Sequence, residues 1–268
     1  MTCLPTFVRR DSEVLADQEE PKVQSGGLDR NIHLPAAWRF ALMEFIVSEL
    51  PKWRDDPRRP YDTAETSLTS RLCAHMNSAT RRSGGWDFLQ FRVEEPDETV
   101  GGRRVDLVPA PSAATIWIEG RQYSQYASLV PIECKRLPTP PGATRDEREY
   151  LFSSHSSTGG VQRFKAGHHG AAHTVGAMIA YIQENDIDFW DRQMRTWLQG
   201  LIAIPVDGWS IDDELRITSR DSGAGSALLE SKHRRNGGLP DIRLHHLWIN
   251  MDSPRRTQRM RATEPLLS

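Results

Sequence analysis

Long apolar stretches are missing from this chain. Its 268 residues contain no run approaching the ~18 apolar residues of a membrane-spanning helix, so no membrane span is expected. The opening segment, MTCLPTFVRRDSEVLADQEEP, lacks the apolar core of a secretory signal. Cysteine is scarce: Cys3, Cys73 and Cys134 are an odd, scattered set without CxxC spacing. That argues against a disulfide framework or a cysteine zinc site, and for a reducing, cytoplasmic setting. Neither sign of charge dominates, at a formal net charge of −2, so there is no overall basic excess to point directly at nucleic acid. GxSxG, Walker A and HExxH motifs are absent, which removes the commonest hydrolase, nucleotide-binding and zinc-protease readings. Hydrophobic residues make up 38% of the chain. That is low, yet at this length it allows a sizeable core in one large domain or two small ones.

The basic residues are clustered, at Arg81-Arg82, Arg103-Arg104, Lys232-His233-Arg234-Arg235 and a tail with Arg255, Arg256, Arg259 and Arg261. The simplest reading of each cluster is solvated surface. Residues 1–35 mix charge, Gly and Pro without a period and read as an arm. A globular domain is expected over 36–252, followed by the basic tail 253–268.

Within the domain, Trp38, Ala41, Leu42, Phe45, Ile46 and Leu50 recur at helical spacing, with Pro51 as the expected stop. A second helix is expected over Thr63–Asn77, with Asp62 or Thr63 as N-cap and Leu68, Leu72 and Met76 as its stripe. Glu65 falls on the same face as that stripe, an unusual place for an acid. Strand candidates follow at Trp86–Val93, Arg103–Pro109, Ala114–Ile118 and Leu129–Cys134. Residues 138–158 read as a mobile loop, and Gly159-Gly160 opens a short helix. Val175–Ile182 reads as a buried strand or helix, and Asp186–Leu201 as a helix with Trp190 and Trp197 in the core. Three strands close the domain at Glu214–Ser219, Ala227–His233 and Ile242–Met251. The whole is an α/β sandwich pattern.

The segment Val130–Arg136, VPIECKR, holds the chemistry. Residues two apart on a strand share a side, so Glu133 and Lys135 emerge together from an apolar run. Buried charges are costly unless paired or bound to a metal. Asp106, in the strand-like Arg104–Val108, supplies a second carboxylate. Two carboxylates on adjoining strands repel unless a cation lies between them. Mg²⁺ suits such a set, with the Cys134 backbone carbonyl available to complete the shell. Lys135 can then orient or help deprotonate a water, or stabilise charge on phosphorus. The rival is a plain Glu133–Lys135 ion pair. His168, His169, His173, His245 and His246 suggest a histidine metal site only weakly, because their spacing is poor. His233 and Arg234 fit surface placement better than phosphate contact.

The order Glu65, Asp106, Glu133-Cys134-Lys135 resembles the PD-(D/E)xK nuclease superfamily. The resemblance covers roughly residues 36–182. It implies a restriction-endonuclease-like three-layer core, a mixed central β-sheet flanked by helices. It also implies Mg²⁺, with Mn²⁺ as a substitute, and cleavage leaving a 5′-phosphate. By the same resemblance Gln162, on the helix after ExK, is a site residue and Arg163 a phosphate contact, with Lys165 and Arg136 as further nucleic-acid-binding candidates. The literal Pro96-Asp97 lies in a polar turn and is set aside in favour of Asp106. Glu119 is set aside because no lysine follows it at the right spacing.

The expectation is therefore a metal-dependent endonuclease acting on phosphodiester bonds, most naturally in DNA. Asp106 and Glu133 would hold the metal, and Glu65 a second metal or a bound water. Fold-level analogy adds an effector role in a bacterial antiviral system with a partner ATPase or sensor protein. The alternatives are a silent nucleic-acid-binding or scaffold subunit on the same fold, and a structure-selective resolvase acting as a homodimer.

Overall fold

Seven strands line up in the order β1 (Leu89–Pro96), β2 (Arg104–Pro111), β5 (Ile132–Leu137), β6 (Val175–Ile182), β9 (Ile242–Asn250), β8 (Ser226–His233) and β7 (Arg216–Asp221), with helices on both faces. The computed structural model describes residues 37–252, apart from 100, 101, 114, 119, 156–158, 205–207 and 236. The elements are α1 (Ala37–Arg54), α2 (Glu65–Arg82), β1 (Leu89–Pro96), β2 (Arg104–Pro111), a small hairpin of β3 (Ile116–Ile118) and β4 (Arg121–Tyr123), β5 (Ile132–Leu137), α3 (Gly160–Lys165), β6 (Val175–Ile182), α4 (Ile187–Ala203), β7 (Arg216–Asp221), β8 (Ser226–His233) and β9 (Ile242–Asn250). The central strands β5, β6 and β9 are parallel, and every other pairing in this sheet is antiparallel. The expected arm, basic tail and Glu119 lie outside the described residues.

Strand alternation divides the core. Cys134, Ala177, Ile179, Tyr181, Leu228, Leu247 and Ile249 join the α1 and α2 stripes on one face. Leu137, Met178, Ala180, Ile182, Leu229, Leu244 and Trp248 meet α3 and α4 on the other. The near-continuous apolar run of β6 is what a central strand covered on both sides requires.

Several boundaries differ from the sequence reading. Helix α1 runs past Pro51 to Arg54: the proline lacks one donor, but its carbonyl still accepts from the Asp55 N–H, so one more turn forms beyond it. Helix α2 begins at Glu65 and continues to Arg82, and Asp62 accepts from the Ala64 N–H just before it. Strand β1 starts three residues later than Trp86, and β5 runs on to Leu137. Within the expected 138–158 loop, the stretch 146–153 packs against the domain: Asp146, Glu149, Tyr150, Leu151 and Ser153 are buried, while 141–145 are exposed. The Asp146 carboxylate accepts from the backbone N–H groups of Arg148 and Ser154, which folds the segment onto itself.

A polar chain crosses the α3/α4 face. Trp248 Nε1 lies 2.9 Å from the Tyr150 hydroxyl, which is 2.8 Å from His246 Nδ1. His246 Nε2 lies 2.7 Å from Ser231 Oγ, which is 2.6 Å from His233 Nε2. His233 Nδ1 reaches Asp213 Oδ1 at 2.5 Å, and Lys165 Nζ meets the same oxygen at 2.6 Å. Indole can only donate and carboxylate only accept, so with neutral imidazoles each hydrogen has one place. Burial pushes the pKa values of both His233 and His246 down, which keeps the rings neutral. His233 is thus a core residue, not a surface one, and Arg235 is buried rather than solvated.

Two expectations follow. In Gly159→Ala the added Cβ would sit 2.5 Å from Phe152 Cα, whereas at Gly84 it would meet nothing within 4 Å. Urea unfolding should find the first variant less stable by about 2 kcal/mol and the second within about 0.5 kcal/mol of the parent. The second concerns His245, whose pKa burial lowers from 6.5 to about 4. The unfolded chain then takes up a proton that the folded one refuses, so stability present above pH 6.5 is lost as pH falls towards 4. Relative to the parent, His245→Phe should gain about 2 kcal/mol between pH 7 and pH 5, measured as a difference of unfolding free energies.

Candidate active site

Strands β2 and β5 share one bridge, Leu107 opposite Ile132, and then part. In β5, the carbonyls of Pro131 and Leu137 accept from the β6 side. Even-numbered peptide groups therefore face the gap left by β2. Two carboxylates take the freed donors there. Asp106 Oδ2 accepts from the Cys134 N–H at 2.8 Å, and Glu65 Oε2 from the Arg136 N–H at 3.1 Å. The Cys134 carbonyl faces the same gap between them.

Glu65 is the first residue of α2, where an acid complements the helix dipole, and its other oxygen reaches Lys135 Nζ at 3.2 Å. Lys135 Nζ also lies 2.9 Å from Glu133 Oε1. Glu133 is fully buried. A second cation shares its Oε1, Arg163 Nη1 at 2.5 Å. Its Oε2 lies 3.1 Å from His169 Nδ1, outside hydrogen-bonding geometry, and neither atom makes a hydrogen bond.

The electrostatics follow from this crowding. Burial raises the Asp106 pKa, and the like charge of Glu133 adds to it, to about 7. Burial also penalises the Glu133 carboxylate, but Lys135, His169 and Arg163 more than offset that and hold its pKa below the usual range. Burial opposes the Lys135 ammonium, and Glu133, Glu65 and Asp106 overcome it, so its pKa stands above the usual range for lysine.

Helix α3 is docked by its first three N–H groups. Gly160, Val161 and Gln162 donate to the carbonyls of Glu149, Tyr150 and Leu151. Gly160 allows the approach, since a Cβ there would stand 2.8 Å from the Tyr150 oxygen. This aims Arg163 at Glu133. The Gln162 carboxamide accepts from the Ser153 N–H and so holds the preceding loop. His169 is set by its own loop: Arg235 donates to the carbonyls of Gly170 and His173, and Asp97 Oδ2 accepts from the Gly170 N–H. Asp97 of the literal Pro-Asp therefore has a structural task.

The structure thus gathers Glu65, Asp106, Glu133, Lys135 and Arg163, with Arg136 alongside, its guanidinium donating to the Thr63 carbonyl. It does not bring Lys165 to a nucleic-acid surface. That residue is buried, bound to Asp213 and 4.8 Å from the centre of the Trp209 ring. It and Arg163 are two apart on a helix and cannot share a side. His169 was missed as a site residue. Its only sequence signal is the spacing of the histidine group, which points no further than a weak metal motif. His173 instead lies 3.5 Å from Glu98, and His245 3.3 Å from Glu230. The contacts Asp213–His233–Ser231 have the order of a nucleophilic triad, but Ser231 is buried and its hydroxyl is already taken by His246. Among the described residues, no group of three or more His, Cys, Asp or Glu is gathered so as to hold a metal ion.

No protein-family model, curated protein or solved structure matches this chain.

Asp106→Asn keeps an acceptor for the Cys134 N–H and removes one of two crowded negative charges. In EDTA at pH 8 it should be more stable than the parent by about 2 kcal/mol in urea unfolding, whereas Asp106→Ala, which loses the acceptor, should show no such gain.

Proposed function

We propose that the chain is a metal-dependent nuclease on a restriction-endonuclease-like core, hydrolysing phosphodiester bonds, most naturally in DNA. One observation carries this reading: Asp106, Glu133 and Lys135 meet where β2 and β5 part, with Glu65 closing the group from α2.

The donor set suits a hard divalent cation. It offers two carboxylates and one strand carbonyl, all oxygen, and Mg²⁺ keeps several waters and needs no full protein cage. The raised Asp106 pKa is what a missing positive charge beside it leaves behind, and Glu133 Oε2, which makes no hydrogen bond, is an oxygen still open to a ligand. Asp106, Glu133 and the Cys134 carbonyl would hold the ion. When bound, it would polarise a phosphoryl oxygen and acidify a water.

The chain's own residues do the rest. Lys135 is kept charged by its carboxylate neighbours, so its role is that of a donor: it orients the attacking water and stabilises negative charge developing on the phosphate. A lysine held this firmly protonated is a poor general base at neutral pH. Glu65 fixes the ammonium from the α2 side and caps the free edge of β5. Arg163 and Arg136 are the cations best placed to meet backbone phosphates.

A second reading has its own support. Glu133 is already neutralised by Lys135 and Arg163, as in a silent scaffold on the same fold. Incubation with plasmid, linear and single-stranded DNA in Mg²⁺, Mn²⁺ and EDTA separates the two. The nuclease should cut in Mg²⁺ or Mn²⁺ and not in EDTA. Lys135→Ala and Asp106→Asn should each lower the rate by about 100-fold or more while the thermal melt stays cooperative. Cleavage by Lys135→Ala at the parental rate would sink the assignment.

A further inference from the structure

Around Glu133, two cations compete for one oxygen, and they differ in kind. Lys135 sits on the same strand, almost wholly buried, and is held from the other side by Glu65. It has nowhere to go. Arg163 comes from α3, and its side chain keeps 24% of its surface in solvent. A guanidinium can exchange a carboxylate for a phosphate with the same forked geometry. Glu65, Asp106 and Glu133 are three carboxyl groups gathered around two cations, Lys135 and Arg163. Arg163 thus supplies one of the positive charges that a divalent ion would bring, and supplies it on the very oxygen of Glu133 that Lys135 shares.

We infer that Arg163 is a positioning residue that couples metal binding to phosphate binding. While no nucleic acid is present, it occupies Glu133 and weakens the hold on a divalent cation. A phosphodiester backbone draws the guanidinium to itself and releases Glu133. Each ligand then favours the other by the same factor, as linkage requires. The inference rests on the nuclease reading of this site, and it makes the metal site complete only when a polyanion is present.

The test is Mn²⁺ affinity, read by calorimetry or electron paramagnetic resonance, with and without a phosphorothioate DNA duplex. In the parent, the duplex should tighten Mn²⁺ binding about tenfold. Arg163→Gln should bind Mn²⁺ about tenfold more tightly without DNA, and the gain on adding the duplex should vanish. Arg163→Lys, which keeps the charge but loses the fork, should fall between them and guards against a folding defect in the glutamine variant. If Mn²⁺ binds the parent and both variants alike, and the duplex changes all three equally, the coupling is overturned while the nuclease reading stands. If none of them binds Mn²⁺ with or without the duplex, both fall together.

Discussion

A carboxylate with no exposure to water, Glu133, sits at the middle of the sheet, and much of the chain answers to it. Removing an ionised carboxylate from water is costly in proportion to how poorly it is compensated. Here compensation comes from Lys135 on its own strand, Arg163 on α3 and the edge of the His169 ring. Each of those is fixed by something further out. Glu65 at the start of α2 holds Lys135, the 149–151 carbonyls hold α3, and Arg235 and Asp97 hold the His169 loop. One buried charge thus explains why distant segments converge here.

The sequence made this centre visible because its signal is local. A carboxylate and an ammonium two apart in an apolar strand are conspicuous wherever they occur, and Asp106 and Glu65 stand out for the same reason. Most strands and the flanking helices could be read from apolar runs and amphipathic stretches, whereas the mixed character of the sheet came only with the resemblance. Residues supplied by tertiary approach could not. Arg163 and Lys165 look equivalent in a basic stretch, and only the docking of α3 decides that one faces Glu133 and the other Asp213. His233 and Arg235 lie in a run of four basic residues that reads as surface. His233 is buried at the end of β8 against Asp213 and Ser231, and Arg235, just past that strand, among the Gly170, His173 and Pro240 carbonyls it binds, contacts that a charge count cannot supply. Pro51 misled for a different reason: a proline takes away one donor, and its own carbonyl can still close a further turn, here with the Asp55 N–H.

Two polar groups on the α3/α4 face of the sheet are treated in opposite ways. The Trp248-to-Asp213 chain satisfies each of its members, and such a network favours one register of β8 on β9 over a shifted one. At the gap between β2 and β5 the bookkeeping is left open. Asp106 is held towards its neutral form, Glu133 Oε2 makes no hydrogen bond, and His169 Nδ1 has none either. Native folds keep buried polar atoms satisfied almost everywhere, so an unsatisfied cluster marks where stability has been given up.

That contrast bears on how the site could work. Were the gap merely a structural ion pair, the cheapest solution would be to drop Asp106, since the Lys135–Glu133–Arg163 group does not need a third acid nearby. Asp106 instead adds repulsion while serving as acceptor for one backbone donor, a task that an asparagine would perform without the charge. The extra carboxyl group is therefore the feature that a purely structural reading leaves unexplained. On the nuclease reading a divalent cation would account for it, and Arg163, the part-exposed cation on Glu133, comes from an element of its own rather than from the strand.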